Sequence, residues 1–346
     1  MKKWIMFAVL VTVVSVLVLP VCTNAKTKPK QVKNTTAKVT HYVKGTTQLS
    51  GENAQFGITY TLGKASPFNI TIKSAEYSVD PIVIGDRLFK VDAKNKLLIL
   101  HMIYHNPLHA DRFVRWDSFG FTAVDANDQN HDGLLDLGAE NDKSKVGMSL
   151  KPAQKKEVYA AMIVPASGEI PKLMIKSSDN LVLRYDLKGK VKGIPAPFAD
   201  PADTSGATAL AKITAIEGTY YPVSECYFKL DKVEYSGAAA IGTKKLGKND
   251  RLLIVTFSLK NANPQKIFFR WDSFIRKLVD VDGVEVGKCE NVFQASRDNP
   301  FAGNIEAGQE LTLRYAFILP KDVSLKTFSI VKGDGRTLEY DITSIK

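Results

Sequence analysis

The most specific chemical signal in the 346-residue sequence lies in a short acidic segment between residues 125 and 141. Polar residues alternate there with other residues, and Gly133 permits a sharp turn. The candidate ligands are Asp128, Asn130, Asp132, the backbone carbonyl of Leu134, and Asp136. Oxygen ligands at this spacing can converge on one Ca²⁺ ion. The sequence therefore predicts a calcium loop.

Two departures keep an ordinary solvated turn open as the alternative. The twelfth position of the loop is Ala139, with Glu140 one place late, and the flanking segments have the pattern of strands rather than helices. A later segment, Val279–Gly283, is a compact Asp-Gly hairpin five residues shorter than this loop. Calorimetric titration with millimolar calcium distinguishes the two readings.

Three histidines recur every four residues, at His101, His105 and His109. On a helix this spacing would align metal ligands, but the segment has the pattern of a strand, in which residues four apart lie ~13 Å apart. We therefore expect ordinary half-exposed histidines and no transition-metal site. Motifs for nucleophilic, phosphate-binding or dinucleotide chemistry are absent from the sequence, which favours a non-enzymatic protein. A hydrolase with an atypical site assembled from distant loops stays open as an alternative.

Two cysteines, Cys226 and Cys289, remain beyond the N-terminal segment. An even pair in an exported protein is typical of a disulfide, here closing a loop of 63 residues. Such a bond would contribute about 4 kcal/mol in the chain-entropy model. Two separate buried thiols are the equally weighted alternative.

The pentapeptide RWDSF occurs twice in the chain. Its members are Arg115, Trp116, Asp117, Ser118 and Phe119, and then Arg270, Trp271, Asp272, Ser273 and Phe274. If it forms a strand, its arginine, aspartate and phenylalanine share one face and its tryptophan and serine the other. The aspartate can then pair with the arginine or cap a loop. A tryptophan packed in the core would cost about 3 to 5 kcal/mol on truncation, and an exposed one almost nothing.

The pentapeptides belong to a longer correspondence at a constant offset of 155 residues. Asn106 corresponds to Asn261, Gln154 to Gln309 and Pro165 to Pro320. This predicts one domain present twice, at residues 45–190 and 211–346, with a linker rich in proline and glycine at 191–210.

Short β-branched and aromatic segments recur in both copies, bounded by turn residues. They include LLILHMIYH, EVYAAMIV and LVLRYDL in the first copy, and LLIVTFSL, LTLRYAFIL and TLEYDI in the second. No segment has a helical period of comparable strength. The predicted fold is all-β, with two tandem immunoglobulin-like antiparallel β-sandwiches.

Each copy resembles the telokin-like, immunoglobulin-like domains of unknown function in bacterial secreted proteins and lipoproteins. The resemblance rests on an Asn-Pro loop after an apolar strand, then Asp-Ser-Phe, an Asp-Gly hairpin and a Pro-Gly-Gln-like turn. That turn departs from the pattern in both copies, as Pro152-Ala153-Gln154 and Ala307-Gly308-Gln309. The resemblance covers nearly all of both copies. It implies a binding or structural role in the envelope or outside the cell and carries no catalytic residues.

The N-terminus has the pattern of an export signal over residues 1–25, with two lysines, an apolar run and small residues before a cleavage site after Ala25. An uncleaved membrane anchor and a lipid on Cys22 are the alternatives. A lysine-rich spacer follows at 26–44. The signal and the spacer account for most of the formal charge of +11 and leave +3 for residues 45–346.

The nearly balanced charge of residues 45–346 excludes nucleic acid as the expected partner. We expect a binding or structural module that is exported to the envelope or the medium and recognises a protein or an envelope polymer. The Asp128–Asp136 loop gives the alternative of a calcium-dependent module. Membrane contact is expected only through the signal segment or a lipid on Cys22.

Overall fold

A computed structural model describes residues 51–64 and 66–345. The described residues are organised as β-strands joined by turns and loops, which confirms the all-β prediction. No helix in this part of the chain is long and apolar enough to cross a membrane. The predicted signal and spacer, with Cys22, lie outside the described residues.

The first half contains fourteen strands. They are β1 (Glu52–Ala54), β2 (Thr59–Leu62), β3 (Phe68–Ser78), β4 (Ile82–Ile84), β5 (Arg87–Phe89), β6 (Asn95–His105), β7 (Arg112–Val114), β8 (Gly120–Val124), β9 (Asn130–Asp132), β10 (Leu137–Ala139), β11 (Met148–Leu150), β12 (Lys155–Pro165), β13 (Lys172–Lys176) and β14 (Val182–Asp186).

The second half contains fourteen more. They are β15 (Lys212–Ala215), β16 (Tyr221–Val223), β17 (Cys226–Ser236), β18 (Ala240–Ile241), β19 (Lys244–Lys245), β20 (Asp250–Asn261), β21 (Ile267–Phe269), β22 (Ile275–Asp280), β23 (Glu285–Val286), β24 (Lys288–Gln294), β25 (Gly303–Ile305), β26 (Glu310–Pro320), β27 (Leu325–Val331) and β28 (Thr337–Asp341).

Each half has two five-stranded sheets, and the strand pairings stay within a half. The sheets of the first half have the orders β1-β14-β13-β8-β9 and β10-β12-β6-β3-β2. Those of the second half have the orders β15-β28-β27-β22-β23 and β16-β17-β20-β26-β24. Pairing is antiparallel except at one edge of each half, where β1 pairs with β14, and β15 with β28, in parallel. We call the two halves the first and second sandwich.

Side chains from the two sheets meet in the core of each sandwich. In the first, the rings of Tyr60 and Tyr185 lie 6.4 Å apart at 86°. In the second, the rings of Phe317 and Phe328 lie 6.3 Å apart at 78°. These edge-on contacts between sheets are the arrangement that aromatic quadrupoles favour.

The central strand β6 is buried on both faces, which explains its unbroken apolar run. Leu98 and Leu100 face the main core, while Leu97 and Ile99 pack under the hairpin of β4 and β5 in a smaller cluster. The second sandwich repeats this arrangement, because Leu252 and Ile254 of β20 pack with Ile241 of β18.

Equivalent strands recur at the offset seen in the sequence. Strands β6, β7, β8, β11, β12 and β14 begin 155 residues before β20, β21, β22, β25, β26 and β28. Contacts join residues 48–346 into one compact unit. The linker belongs to this unit, since Ile194, Phe198 and Ala207 are all less than 9% exposed within the common core. Its prolines and glycines therefore shape a packed connection.

Candidate functional site

The duplicated pentapeptide forms a turn, and the expectation of a strand is wrong. The backbone N–H of Ser118 donates to the carbonyl of Arg115 at 3.1 Å, and the N–H of Arg115 donates to Ser118 Oγ at 2.9 Å. The same two bonds join Ser273 and Arg270, both at 3.0 Å. A serine hydroxyl that binds nearby backbone competes with strand pairing, which is why each strand ends at the arginine.

The arginine and aspartate of each turn form an exposed ion pair, as one alternative predicted. Arg115 pairs with Asp117, and Arg270 Nε lies 2.6 Å from Asp272 Oδ1. The hydroxyl of the serine, rather than the aspartate, caps the turn. Such exposed pairs contribute little to stability.

The two aromatic residues of each turn have opposite surroundings. Phe274 is 1% exposed, and the Phe119 ring lies 5.8 Å from that of Tyr104 in a stacked arrangement. Trp116 and Trp271 are 41% and 48% exposed. The phenylalanine therefore anchors the turn to the core, and the tryptophan takes no part in core packing.

A second exposed aromatic residue lies close in sequence to each tryptophan. On β7 and β21 the alternation of the strand buries Val114 and Phe269 and turns Phe113 and Phe268 outward, where they are 57% and 60% exposed. We call Phe113 with Trp116 the first aromatic surface, and Phe268 with Trp271 the second. The period-2 alternation of RFV and IFF was the available signal for them, and sequence analysis missed it.

A buried asparagine organises the loops beside each aromatic surface. Asn106 is 0% exposed, and its Nδ2 donates to the carbonyls of Ala110, Leu150 and Lys151 at 2.8, 2.9 and 3.2 Å. Its Oδ1 accepts from the N–H of Leu108 at 3.0 Å.

Asn261 repeats the arrangement in the second sandwich. Its Nδ2 donates to the carbonyls of Gln265, Ile305 and Glu306 at 2.9, 3.1 and 3.1 Å, and its Oδ1 accepts from the N–H of Asn263 at 2.8 Å. Each asparagine thus joins three chain segments without exposing itself to solvent.

The duplicated glutamines complete the same loop end. The N–H of Lys151 donates to Gln154 Oε1, and the N–H of Glu306 donates to Gln309 Oε1, both at 2.8 Å. The carbonyls of the glutamines accept from the N–H groups of Asn106 and Asn261, both at 3.0 Å. The duplicated polar residues therefore satisfy buried backbone groups, a structural task.

The structure disperses the carboxylates proposed as calcium ligands. Asp128 is exposed and pairs with Lys172 at 3.2 Å, whereas Asp132 accepts from Thr122. Asp136 is buried, and its Oδ2 lies 2.7 Å from Lys145 Nζ. Of the two remaining candidates, Asn130 is exposed on β9 and Leu134 is buried in the core.

Within the described residues no three His, Cys, Asp or Glu side chains are grouped closely enough to hold a metal ion. The calcium hypothesis stays a prediction, to be tested by titration.

Asp125, just before these residues, organises the turn. Burial opposes its ionisation, but hydrogen bonds from the N–H groups of Gln129 and Asn127 and from His131 outweigh this and lower the pKa of Asp125. His131 Nε2 lies 3.1 Å from Asp125 Oδ2. The carboxylate is thereby committed to the geometry of its own loop.

The histidines of β6 have separate partners. His101 Nδ1 lies 2.6 Å from Glu140 Oε1, and His105 Nδ1 lies 3.0 Å from Asn69 Nδ2. Both histidines are partly exposed, and His109 lies in the exposed loop after the strand.

The two cysteines are free thiols in the structure, which contradicts the disulfide hypothesis. Cys226 lies on β17 and Cys289 on β24, and two strands, β20 and β26, separate them in the sheet. Three strand spacings amount to about 14 Å, beyond the reach of an S–S bond. Burial raises the pKa of Cys226 to about 12 and also raises the pKa of Cys289.

Comparison with known proteins gives a likeness of fold only. No protein-family model and no curated protein matches the chain. An uncharacterized β-sandwich protein of Clostridium difficile 630 is 11% identical, with 38% of this chain and 94% of that protein covered, at a TM-score of 0.29. The yjhA protein of Bacillus subtilis is 15% identical, with 38% of this chain and 98% of that protein covered, at a TM-score of 0.29.

Proposed function

We propose that this protein is a non-enzymatic, exported binding module, built from two immunoglobulin-like sandwiches that arose by duplication of one telokin-like domain. It acts in the envelope or outside the cell, and its two aromatic surfaces contact the partner. The observation that carries the proposal is the recurrence of the same exposed aromatic pair at equivalent positions of both sandwiches.

The contrast between the duplicated residues supports this reading. The residues that build the turn and its loops are either buried, as are Asn106, Asn261 and Phe274, or bonded to backbone, as are the serines and glutamines. The two tryptophans make no such contribution to the fold. Exposed tryptophan is costly to keep in water and is enriched at the centres of binding interfaces.

The side-chain chemistry beside the surfaces also favours binding over catalysis. The polar residues that recur in both sandwiches are committed to backbone groups or to their own ion pairs. A nucleophile or general base must instead have a polar atom directed at a substrate.

The test is co-sedimentation with washed cell envelopes of the source organism. We compare the wild-type chain with the double variant Trp116→Ala/Trp271→Ala and with Ile163→Ala as the control. Ile163 is also 41% exposed but lies on β12. We expect the double variant to lose most of its binding and the control to keep it, with unchanged melting curves for both. Equal sedimentation of all three proteins would contradict the proposal.

A further inference from the structure

We propose that the two aromatic surfaces bind one repeating polysaccharide chain at the same time. This inference rests on the proposed function and adds to it the class of ligand and the bivalent mode of binding. It follows from how the sandwiches are joined, and from what kind of ligand two small separated surfaces can hold.

The sandwiches are joined head to tail. Arg336, in the β27–β28 hairpin of the second sandwich, donates from Nη1 to the carbonyl of Asp92 at 2.9 Å and from Nη2 to that of Asn95 at 2.6 Å. Asn95 is the first residue of β6, so the second sandwich contacts the end of the first at which β6 begins.

The second sandwich makes this contact with its opposite end. Glu225 immediately precedes β17 and accepts from the N–H of Ala262, just after β20 ends, at 3.0 Å. It also pairs with Lys90 of the first sandwich at 3.0 Å. The end of β20 therefore faces the beginning of β6, although these two strands are equivalent.

This order fixes where the aromatic surfaces lie. Each surface follows the end of its central strand, β6 or β20, so the first lies at the free end of the first sandwich and the second lies near the junction. One sandwich length separates them. The 11 residues of β6, at about 3.4 Å each, give a separation of about 35 Å.

Buried cations hold the junction and the linker in place. Arg336 is only 7% exposed, and its Nε also donates to the carbonyl of Leu210, in the linker, at 3.0 Å. Lys96 is 0% exposed, donates to the carbonyls of Gly168 and Ala207, and lies 4.3 Å from the centroid of the Tyr77 ring. Because these contacts hold both sides of the linker, the two surfaces keep a set separation.

The second surface is continuous with this junction. The ammonium of Lys332 lies 6.0 Å from the Phe274 ring, beneath the RWDSF turn, and also pairs with Glu225. The guanidinium of Arg276 lies 5.4 Å from the centroid of the Trp271 ring, which helps to hold the indole in place. Trp271 is thus an exposed ring on a braced support.

The composition of the surfaces selects a sugar polymer over a protein. A stable protein interface needs about 800 Å² of contiguous contact on each partner, whereas the exposed rings here form two groups about 35 Å apart. A sugar ring offers an apolar face that stacks on an aromatic ring and hydroxyls that bind both donors and acceptors. The Arg115–Asp117 and Arg270–Asp272 pairs supply both kinds beside each tryptophan.

Repetition of the ligand would make two weak contacts effective. When one chain occupies both surfaces, the second contact is intramolecular, and avidity exceeds either single affinity by a factor on the order of 100 or more. Because each surface ion pair is internally neutral, this binding would depend little on salt. Binding through the lysine-rich N-terminal segment would instead be screened.

The experiment uses uncrosslinked glycan strands prepared from purified peptidoglycan, fractionated into fragments well below and well above the separation of the surfaces. Binding to the full chain is measured in about 0.5 M NaCl, where electrostatic attraction is screened. We expect long strands to bind on the order of 100-fold more tightly than short fragments. Trp116→Ala and Trp271→Ala should each reduce long-strand affinity to the short-fragment level, and Ile163→Ala should not.

The outcomes distinguish this inference from the proposed function. Equal affinity for long and short fragments would overturn the bivalent mode. Failure of the strands to bind, while envelope sedimentation still depends on the tryptophans, would overturn the polysaccharide and leave a protein partner. Loss of tryptophan dependence in both assays would overturn the proposed function as well.

Discussion

Asn261→Ala tests whether the duplicated polar residues are structural. The side chain is 1% exposed, and its amide donates to three backbone carbonyls and accepts from one N–H. A net hydrogen bond contributes about 1 kcal/mol, and a buried polar group left without a partner costs about 1 to 3 kcal/mol. Water can reach part of the vacated loop, so we expect a total loss of about 3 to 5 kcal/mol, in the upper range for single substitutions.

The assay is urea unfolding, followed by circular dichroism and by tryptophan fluorescence. Asn106→Ala should have the same effect, because its four hydrogen bonds match those of Asn261. The matched control is Asn263→Ala, since the Asn263 side chain accepts only one hydrogen bond, from the N–H of Gln265 at 3.1 Å. The control should lose about 1 kcal/mol or less.

Asn106→Asp sharpens the test, because it preserves the shape and the Oδ1 acceptor. It replaces the NH₂ donor by an oxygen that faces three carbonyls. The variant should be at least as unstable as Asn106→Ala at pH 7, and should recover part of the loss near pH 4, where a protonated carboxyl can donate. A loss below about 1 kcal/mol in both alanine variants would refute the structural role of the asparagines.

Three further predictions concern the thiols, the junction and the acidic loop. Residues 26–346, denatured without reductant, should show two reactive thiols, and the folded protein should protect Cys226; a denatured protein without reactive thiols would restore the disulfide. Burial alone would raise the pKa of Glu225, but hydrogen bonds from Lys332, Ser224 and Lys90 outweigh it and lower this pKa from 4.5 to about 2. The stability contributed by Glu225 is therefore fully present above about pH 4.5 and is lost as the pH falls towards 2, so thermal unfolding of Glu225→Gln should lack this component; identical pH profiles would contradict the role of the ion pairs. Calorimetric titration with millimolar calcium should release heat and raise the melting temperature if the Asp128–Asp136 loop binds the ion, and no change in either would end the calcium hypothesis.

Local patterns were sufficient for the fold class and for most of the long strands. LLILHMIYH and EVYAAMIV lie within β6 and β12, and LLIVTFSL and LTLRYAFIL within β20 and β26. These segments are apolar, rich in β-branched or aromatic residues, and bounded by turn residues, all of which are properties of the chain itself. The offset of 155 residues was also readable directly, because equivalent strands carry equivalent residues.

The candidate sites depended on contacts that no local pattern records. The partners of the acidic loop, Lys172 on β13 and Lys145 before β11, are distant in sequence, so spacing alone could not show that the carboxylates diverge. The cysteines form an even pair in the sequence, but the strand order of their sheet separates them.

The sequence by itself determined that the chain forms strands, that a structural unit recurs, and that RWDSF belongs to that unit. Only the tertiary structure decided which aromatic residue of the pentapeptide enters the core. The serine turn ends the strand and directs Phe119 and Phe274 inward, leaving Trp116 and Trp271 exposed. Burial is a property of the assembled sheets, whereas strand and turn formation depend on neighbouring residues along the chain.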